Sequence, residues 1–321
     1  MAEKYDVVVI GGGPGGYTAA IRARQLGLSC AIVERDELGG ICLNWGCIPT
    51  KVLLHAAEAK HQVETLSTLG LSAGAVEIDL EKLVGRSRQI ARRLSKGVAF
   101  LMKKNGVDVI SGTARLRGAG KLLVAGVDGD VELSASNVIL ATGARARGLP
   151  GIEPDGERVV TYKEAMLPKT LPKSLMVIGA GAIGIEFASF YADLGTEVTV
   201  VEMAERILPQ EDEEVSELAR KALEKRGIDI HTGAQVSSVK SDGDGSMAVI
   251  DLGKGQESPV TVERILLAVG ITGNVENIGL EDTKVEVERG HVVAGDFGAT
   301  GEPGIWAIGD IAGPPWLAHK A

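Results

Sequence analysis

Residues 5–34 read YDVVVIGGGPGGYTAAIRARQLGLSCAIVE, and residues 173–202 read KSLMVIGAGAIGIEFASFYADLGTEVTVVE. Each stretch opens on an apolar run of buried-strand character and passes through G-x-G-x-x-G. Each continues as a helix-length segment closed by a glycine, then ends in a second apolar strand with a terminal glutamate. Gly11 to Gly27 and Gly179 to Gly195 are both 16 residues, and Gly11 to Glu34 and Gly179 to Glu202 are both 23. One glycine-rich turn is weak evidence; two with matched helix lengths and matched acidic ends specify a duplicated dinucleotide-binding unit. Gly11 and Gly179 permit the tight turn after the strand. Gly13 and Gly181 let the backbone approach a pyrophosphate, which rests on the unpaired N–H groups of a helix N-terminus. Gly16 and Gly184 allow close helix–strand packing, and Glu34 and Glu202 accept hydrogen bonds from an adenosine ribose.

A second echo supports the duplication. Val138–Gly143 (VILATG) and Ile265–Gly270 (ILLAVG) are apolar runs ending in glycine, each expected to close the sheet of its own domain. The fold class is therefore α/β: two Rossmann-like, three-layer ββα nucleotide-binding domains with a small β-meander. The expected division is 1–148 plus 271–321 for a discontinuous first domain, interrupted by a second at 149–270. Apolar spacing predicts helices over Thr50–Lys60 and Leu80–Asn105, with Leu83, Ile90, Leu94 and Leu101 as the inward stripe of the longer one. Arg88, Arg92 and Lys96 line another face, read as solvated, with a partner-binding face as the alternative. Val107–Leu133 reads as short strands with glycine turns, Leu149-Pro150-Gly151 as a domain boundary with a linker onward to Pro172, Glu211–Arg226 as a charged helix and Ser241–Gly245 as a loop.

Bulk properties bound the function. The 321 residues suffice for about two domains. A hydrophobic fraction of 45% supports a large core, and a net charge of −9 argues against nonspecific nucleic-acid binding. No apolar stretch reaches the ~20 residues that span a bilayer. With the first fingerprint glycine at position 11, no signal or transit peptide is expected, which points to the cytoplasm.

Three cysteines exclude a structural disulfide framework. Cys42 and Cys47 sit in GGICLNWGCIPTK (39–51), five residues after the first fingerprint ends at Glu34. A cysteine pair of this kind is metal-binding or catalytic. No second pair and no close histidine completes a metal site, so a reversible disulfide beside a bound nucleotide is the better reading. Cys30 lies in an apolar strand and reads as core.

With both fingerprints and C-x4-C in hand, the chain resembles the flavin-dependent pyridine nucleotide–disulfide oxidoreductases over residues 5–321. The wording GGICLNWGCIPTK is most similar to the branch of that family that oxidises dihydrolipoyl groups. Glutathione-reductase-like and mercuric-reductase-like members typically carry Val-Pro at Ile48-Pro49. The resemblance implies FAD on the first fingerprint and NAD on the second. Gly11, Gly13, Gly16 and Glu34 would hold the ADP part of FAD, with Ala114, Thr142 and Gly143 near its adenosine half. Thr300 and Ile305–Asp310 (IWAIGD) resemble the second FAD motif, with Asp310 on the ribityl hydroxyls. Leu317–Lys320 (LAHK), including Ala318, resembles the stretch whose backbone touches the flavin ring. Gly179, Gly181, Gly184, Glu202, Val236 and Gly270 match positions around NAD. Glu202 disfavours a ribose 2′-phosphate, and Met203, Ala204 and Glu205 follow it with no immediate arginine (Arg206 is four residues on), which favours NAD over NADP.

The resemblance further implies that Cys47 faces the flavin and that Cys42 exchanges with substrate sulfur. Lys51, one turn after Cys47, would sit by the flavin edge and pair with Glu186 from the other nucleotide domain. Cys42, Cys47, Lys51 and Glu186 form the expected catalytic set. The implied partners are dihydrolipoyl groups of 2-oxoacid dehydrogenase or glycine cleavage complexes, with no nucleic acid and no membrane. Family members are homodimers that continue into a C-terminal interface domain supplying a His–Glu pair. None of His55, His61, His231, His291 and His319 stands in that context, in a chain whose last residue is Ala321. Low dithiol-oxidising activity is therefore expected of this chain by itself, the loss of a positioned base costing about 10²–10⁴-fold. The alternatives are another disulfide reductase of the same family and a non-catalytic flavin-binding fragment.

Overall fold

The strand Glu3–Ile10 has Val7, Val8, Val9 and Ile10 all buried. Burial on both faces is the mark of an interior parallel strand. It pairs in parallel with Cys30–Glu34 (Val8 against Ala31) and with Gly129–Leu140 (Val8 against Val138). The helix Pro14–Gln25 connects the first two strands, Pro14 standing in its first turn where a missing N–H costs nothing. The computed structural model describes residues 3–118, 120–127, 129–243, 245–253 and 255–321. It divides into two units, one of Met1–Ile48, Gln89–Arg145 and Ile271–Ala321, the other of Pro49–Arg88 and Ala146–Gly270.

In the first unit the strands run in the order Asp108–Ser111, Cys30–Glu34, Glu3–Ile10, Gly129–Leu140, Lys121–Gly126, Thr113–Leu116. Ile305–Ala307 pairs in parallel with Val138–Leu140. The long strand Gly129–Leu140 serves two roles. Its first half pairs antiparallel with Lys121–Gly126 and its second half parallel with Glu3–Ile10. The expected meander is thus three strands; Asp108–Ser111 instead extends the parallel sheet beside Cys30–Glu34. Residues 119 and 128 of that segment lie outside the described residues. The run Val138–Leu140 stands in the middle of the sheet, between Glu3–Ile10 and Ile305–Ala307, where it was expected to close it.

The second unit repeats the pattern: Asp229–Thr232, Glu197–Glu202, Ser174–Ile178, Arg264–Leu267, Val159–Val160, all parallel. Helix Ala182–Asp193 follows its fingerprint. A three-stranded antiparallel sheet, Gln235–Asp242, Gly245–Asp251 and Glu257–Val262, packs apolar side chains such as Ala248, Ile250 and Val262 into the same core. Of the residues expected as a loop at 241–245, Ser241, Asp242 and Gly245 belong to strands, residue 244 lying outside the described residues. The expected linker 149–172 carries the strand Val159–Val160 and the short helix Tyr162–Ala165, started by a Thr161/Glu164 capping box. The charged helix spans Glu213–Lys225 and is capped by Asp212.

The two helices expected between the fingerprints span Cys47–Glu64 and Leu80–Asn105. On the latter, the expected inward stripe holds only in part, Leu83 and Ile90 being half-buried. Leu94 and Leu101 are 40% and 39% exposed, whereas Ser87, Ala91, Val98 and Met102 are buried. Small side chains let this face approach its neighbours closely, and periodicity by itself does not rank two parallel stripes. Among the described residues no helix is long and apolar enough to cross a membrane.

Candidate active site

The first fingerprint loop is shaped by steric necessity. Gly11 has φ +108°, and a Cβ there would lie 2.2 Å from the Ala141 carbonyl oxygen. A Cβ at Gly16 would lie 1.9 Å from the Gly11 carbonyl oxygen. Gly13, by contrast, faces space: the nearest atom to a Cβ there would be Gly40 Cα, 3.9 Å away. Gly13 caps the helix Pro14–Gln25 with no side-chain acceptor, and no acidic residue stands in its first turn. A helix N-terminus with free N–H groups over an unfilled glycine is a fitting seat for a pyrophosphate. Glu34 accepts the Gly12 N–H at 2.6 Å through Oε2 and the Asp36 N–H at 2.8 Å through Oε1.

The redox run is tied to this loop. Gly39 N–H donates to the Gly12 carbonyl at 2.7 Å. Gly40, at φ +57°, passes so near Gly13 that a Cβ on it would fall 2.7 Å from Gly13 Cα. Cys42 lies on its own short helix, Gly40–Asn44, and Cys47 is the first residue of Cys47–Glu64. The two are joined as a disulfide with Cα atoms 4.7 Å apart. Asn44, buried between them, donates through Nδ2 to the carbonyls of Leu38 and Gly40, both at 3.1 Å. Its role in holding the loop escaped the sequence reading, although a polar residue between Leu43 and Trp45 was a usable signal. Cys30 is buried, and burial pushes its thiol up to about 11.

The rest of the first-unit set converges on the same edge. Asp310 stands in the turn Gly309–Ala312, directly after the strand Ile305–Ala307. Burial raises its carboxyl above the usual range, opposed by Lys320 and His291. Among the described residues no donor reaches that carboxylate, which suits it to the hydroxyls of a ligand. Ala318 lies in the turn closed by Lys320 N–H on the Leu317 carbonyl at 3.0 Å. That turn ends against the first helix, since a Cβ on Gly15 would lie 3.2 Å from Ala321 C. Thr142 and Gly143 are clasped by Asn274. Thr142 Oγ1 donates to the Asn274 carbonyl at 2.8 Å, Asn274 Nδ2 to the Thr142 carbonyl at 2.9 Å, and Asn274 N–H to the Gly143 carbonyl at 3.0 Å. Nothing in the sequence pairs residues 132 positions apart. Ala114 sits in the meander, opposite Val124, with its side chain in the core and the residue 3% exposed.

The second unit reproduces the geometry. A Cβ at Gly179 would lie 2.4 Å from the Ala268 carbonyl oxygen, one at Gly184 would lie 1.9 Å from that of Gly179, and one at Gly181 would meet nothing within 4 Å. The helix Ala182–Asp193 likewise lacks a side-chain cap and first-turn acids. Glu202 accepts the Ala180 N–H at 2.6 Å and the Ala204 N–H at 2.8 Å, mirroring Glu34. Arg206 is turned to its own loop, bonding the carbonyls of Pro209 (3.3 Å) and Glu211 (3.4 Å). Gly270 has φ +107°, and its carbonyl accepts Arg147 N–H at 3.0 Å. Val236 sits at a register shift in its strand and packs against the core of the unit. Lys51 and Glu186 form an ion pair, with side chains 63% and 32% exposed. Both fall in the second unit, because the helix Cys47–Glu64 passes into that unit at Pro49.

The model of the family described as pyridine nucleotide-disulphide oxidoreductase matches residues 5–321. The dihydrolipoyl dehydrogenase of Rhizobium etli is 51% identical, over all of this chain and 70% of its own length. That of Zymomonas mobilis is 50% identical over all of this chain and 69% of its own. The crystal structure of LpdA from Mycobacterium tuberculosis superposes with a TM-score of 0.89 at 28% identity, covering this whole chain and 70% of that one.

Proposed function

The chain belongs to the pyridine nucleotide–disulphide oxidoreductase family, and on that premise we propose that it is the FAD- and NAD-binding portion of a dihydrolipoyl dehydrogenase. It oxidises protein-bound dihydrolipoyl groups through Cys42 and Cys47 and reduces NAD+ to NADH. The family uses FAD and NAD(H). When bound, the flavin supplies two-electron transfer between the dithiol and the nicotinamide. We assign FAD to residues 1–148 plus 271–321, held by Gly11, Gly13, Gly16, Glu34, Lys51, Ala114, Thr142, Gly143, Asp310 and Ala318. We assign NAD to 149–270, held by Gly179, Gly181, Gly184, Glu186, Glu202, Val236 and Gly270.

The observation that carries the proposal is the disulfide itself, on a run hydrogen-bonded to the first fingerprint loop. A dihydrolipoyl thiolate attacks Cys42 Sγ, and the Cys42–Cys47 bond breaks with Cys47 leaving as thiolate. The second lipoyl thiolate then attacks the same mixed disulfide, closing the lipoyl ring and releasing Cys42. The substrate loses two electrons and two protons: the chain's disulfide takes up the electrons, one proton ends on Cys42 Sγ and the other passes to solvent. Cys47 is suited to leave because it opens a helix, where the N-terminal dipole and Lys51 one turn on both favour a thiolate. Reoxidation of the pair passes the electrons to NAD+. Dihydrolipoyl domains of 2-oxoacid dehydrogenase or glycine cleavage complexes are the partners in this reading, and the cytoplasm its location.

Anaerobic NADH titration of FAD-loaded protein tests it. The expected results are flavin bleaching and a long-wavelength thiolate–flavin absorbance that Cys47→Ser abolishes without loss of FAD. A band that survives in Cys47→Ser refutes the sulfur assignment; no bleaching at all favours a non-catalytic flavin-binding fragment. Steady-state assays with dihydrolipoamide, glutathione disulfide and mercuric ion then set the substrate, and turnover of either of the last two in preference to dihydrolipoamide overturns the dihydrolipoyl assignment.

A further inference from the structure

Seven residues, two helical turns, separate Lys51 from Glu58 and Glu186 from Asp193. The helices Cys47–Glu64 and Ala182–Asp193 are joined at both levels. At the first, Lys51 pairs with Glu186. At the second, Arg226, the residue that ends the helix Glu213–Lys225, bonds through Nη2 to Asp193 Oδ2 and to Glu58 Oε2, the latter at 3.5 Å. Its Nη1 donates to Ser189 Oγ at 3.3 Å. Lys60 Nζ donates to the Asp193 carbonyl at 2.8 Å and also pairs with Glu64, and His61 Nδ1 lies 3.9 Å from Asp193 Oδ1.

This cluster has no part in nucleotide binding or disulfide exchange as described, yet its placement is costly. The Asp193 side chain is 4% exposed, at the C-terminal end of a helix, where the macrodipole disfavours a negative charge. Burial raises its carboxyl, while Arg226 and His61 lower it and Glu58 raises it further. The Arg226 Nε–H is buried without a partner among the described residues. A buried ion pair held at such cost contributes little net stability, and its attested use is to fix a register.

We propose that Asp193 and Arg226, with Glu58, Lys60 and His61 around them, are positioning residues that lock the axial register of the redox helix against the second nucleotide helix and so hold Lys51 on Glu186. Two contacts about 10.5 Å apart along the axis prevent both sliding and rotation of one helix on the other. Slippage of the distal contact moves Lys51, and Lys51 is the cation one turn from Cys47. The inference rests on the reading of Cys47 as the flavin-facing thiolate.

The test uses FAD-loaded protein carrying Cys42→Ser, in which the Cys47 thiolate is free and its long-wavelength absorbance against pH gives its midpoint. Lys51→Met is expected to raise that midpoint by about 1 unit. Asp193→Asn is expected to raise it by roughly half as much, because Lys51 is loosened but not removed. Adding Asp193→Asn to Lys51→Met should give no further rise. Arg226→Lys should raise the midpoint by less than Asp193→Asn does, since one ammonium keeps a charge beside Asp193 but cannot bridge Asp193, Glu58 and Ser189 together. If Arg226 variants fail to fold, the Asp193→Asn comparison stands by itself. A midpoint that moves with Lys51→Met but not with Asp193→Asn, or shifts that add in the double variant, overturns the lock and leaves the functional reading intact. No absorbance band in the Cys42→Ser parent overturns both.

Discussion

Glu202→Gln separates the two nucleotide sites. The carboxylate takes two backbone donors, Ala180 N–H at 2.6 Å and Ala204 N–H at 2.8 Å, and Ala180 is fully buried. A carboxamide of the same shape accepts one of these and turns its own N–H₂ on the other. One charge-assisted bond, about 1.5–3 kcal/mol, is lost, and a donor is left facing a donor. The loop then relaxes away from its nucleotide-ready shape, and the ribose loses the charged acceptor. Taking about 2–3 kcal/mol as the net effect on binding, the NADH Kd rises about 30- to 150-fold. Fluorescence titration of FAD-loaded protein with NADH reads this directly, while visible absorbance counts FAD per chain. FAD occupancy should hold, and Glu34→Gln should give the converse, since Glu34 braces Gly12 and Asp36 in the same way. An NADH affinity unchanged within about threefold, or equal loss of both cofactors in Glu202→Gln, refutes the partition.

Asp310→Asn should stabilise the apoprotein at neutral pH while weakening FAD retention. Burial raises the Asp310 carboxyl above its usual 3.8, so the folded chain holds that proton more tightly than the unfolded chain. The stabilising effect of protonation is complete below about pH 3.8 and is lost as pH rises through the folded value, leaving the ionised carboxylate a net cost at pH 7. A Tm that rises for Asp310→Asn at pH 7 and converges with the parent in acid bears this out; equal values at pH 7 do not. Cys30, with its thiol at about 11, should resist iodoacetamide at pH 8 after reduction, so that intact mass shows two adducts on the native chain; three adducts would contradict its burial.

The parts legible in the sequence are those encoded by short-range geometry. Gly16 and Gly184 could be assigned because a Cβ 1.9 Å from a carbonyl oxygen is impossible in any environment. Cys42 and Cys47 could be paired because only five positions separate them. The reading of Leu83, Ile90, Leu94 and Leu101 as inward, half right in that Leu83 and Ile90 are half-buried, failed at Leu94 and Leu101 for the opposite reason. Both stripes of that helix repeat correctly, and the choice between them lies with the surface it packs against, where Ser87 and Ala91 fit more closely. The supposed linker failed because Val159–Val160 acquires its partner only from Arg264–Leu267, more than a hundred residues on.

The sequence by itself determined the two strand–turn–helix units, the acidic residue that ends each, and the placing of a dithiol at the start of a helix. These follow from backbone sterics and hydrophobic period, which act within some thirty residues. The tertiary structure alone decided that Glu34 and Glu202 brace their own glycine loops, that Asn274 clasps Thr142 and Gly143, and that Asp193 meets Arg226 beside Glu58. Each of those contacts depends on where a side chain's hydrogen-bonding capacity ends up once distant segments have packed, and desolvation sets its strength only after the core has closed around it.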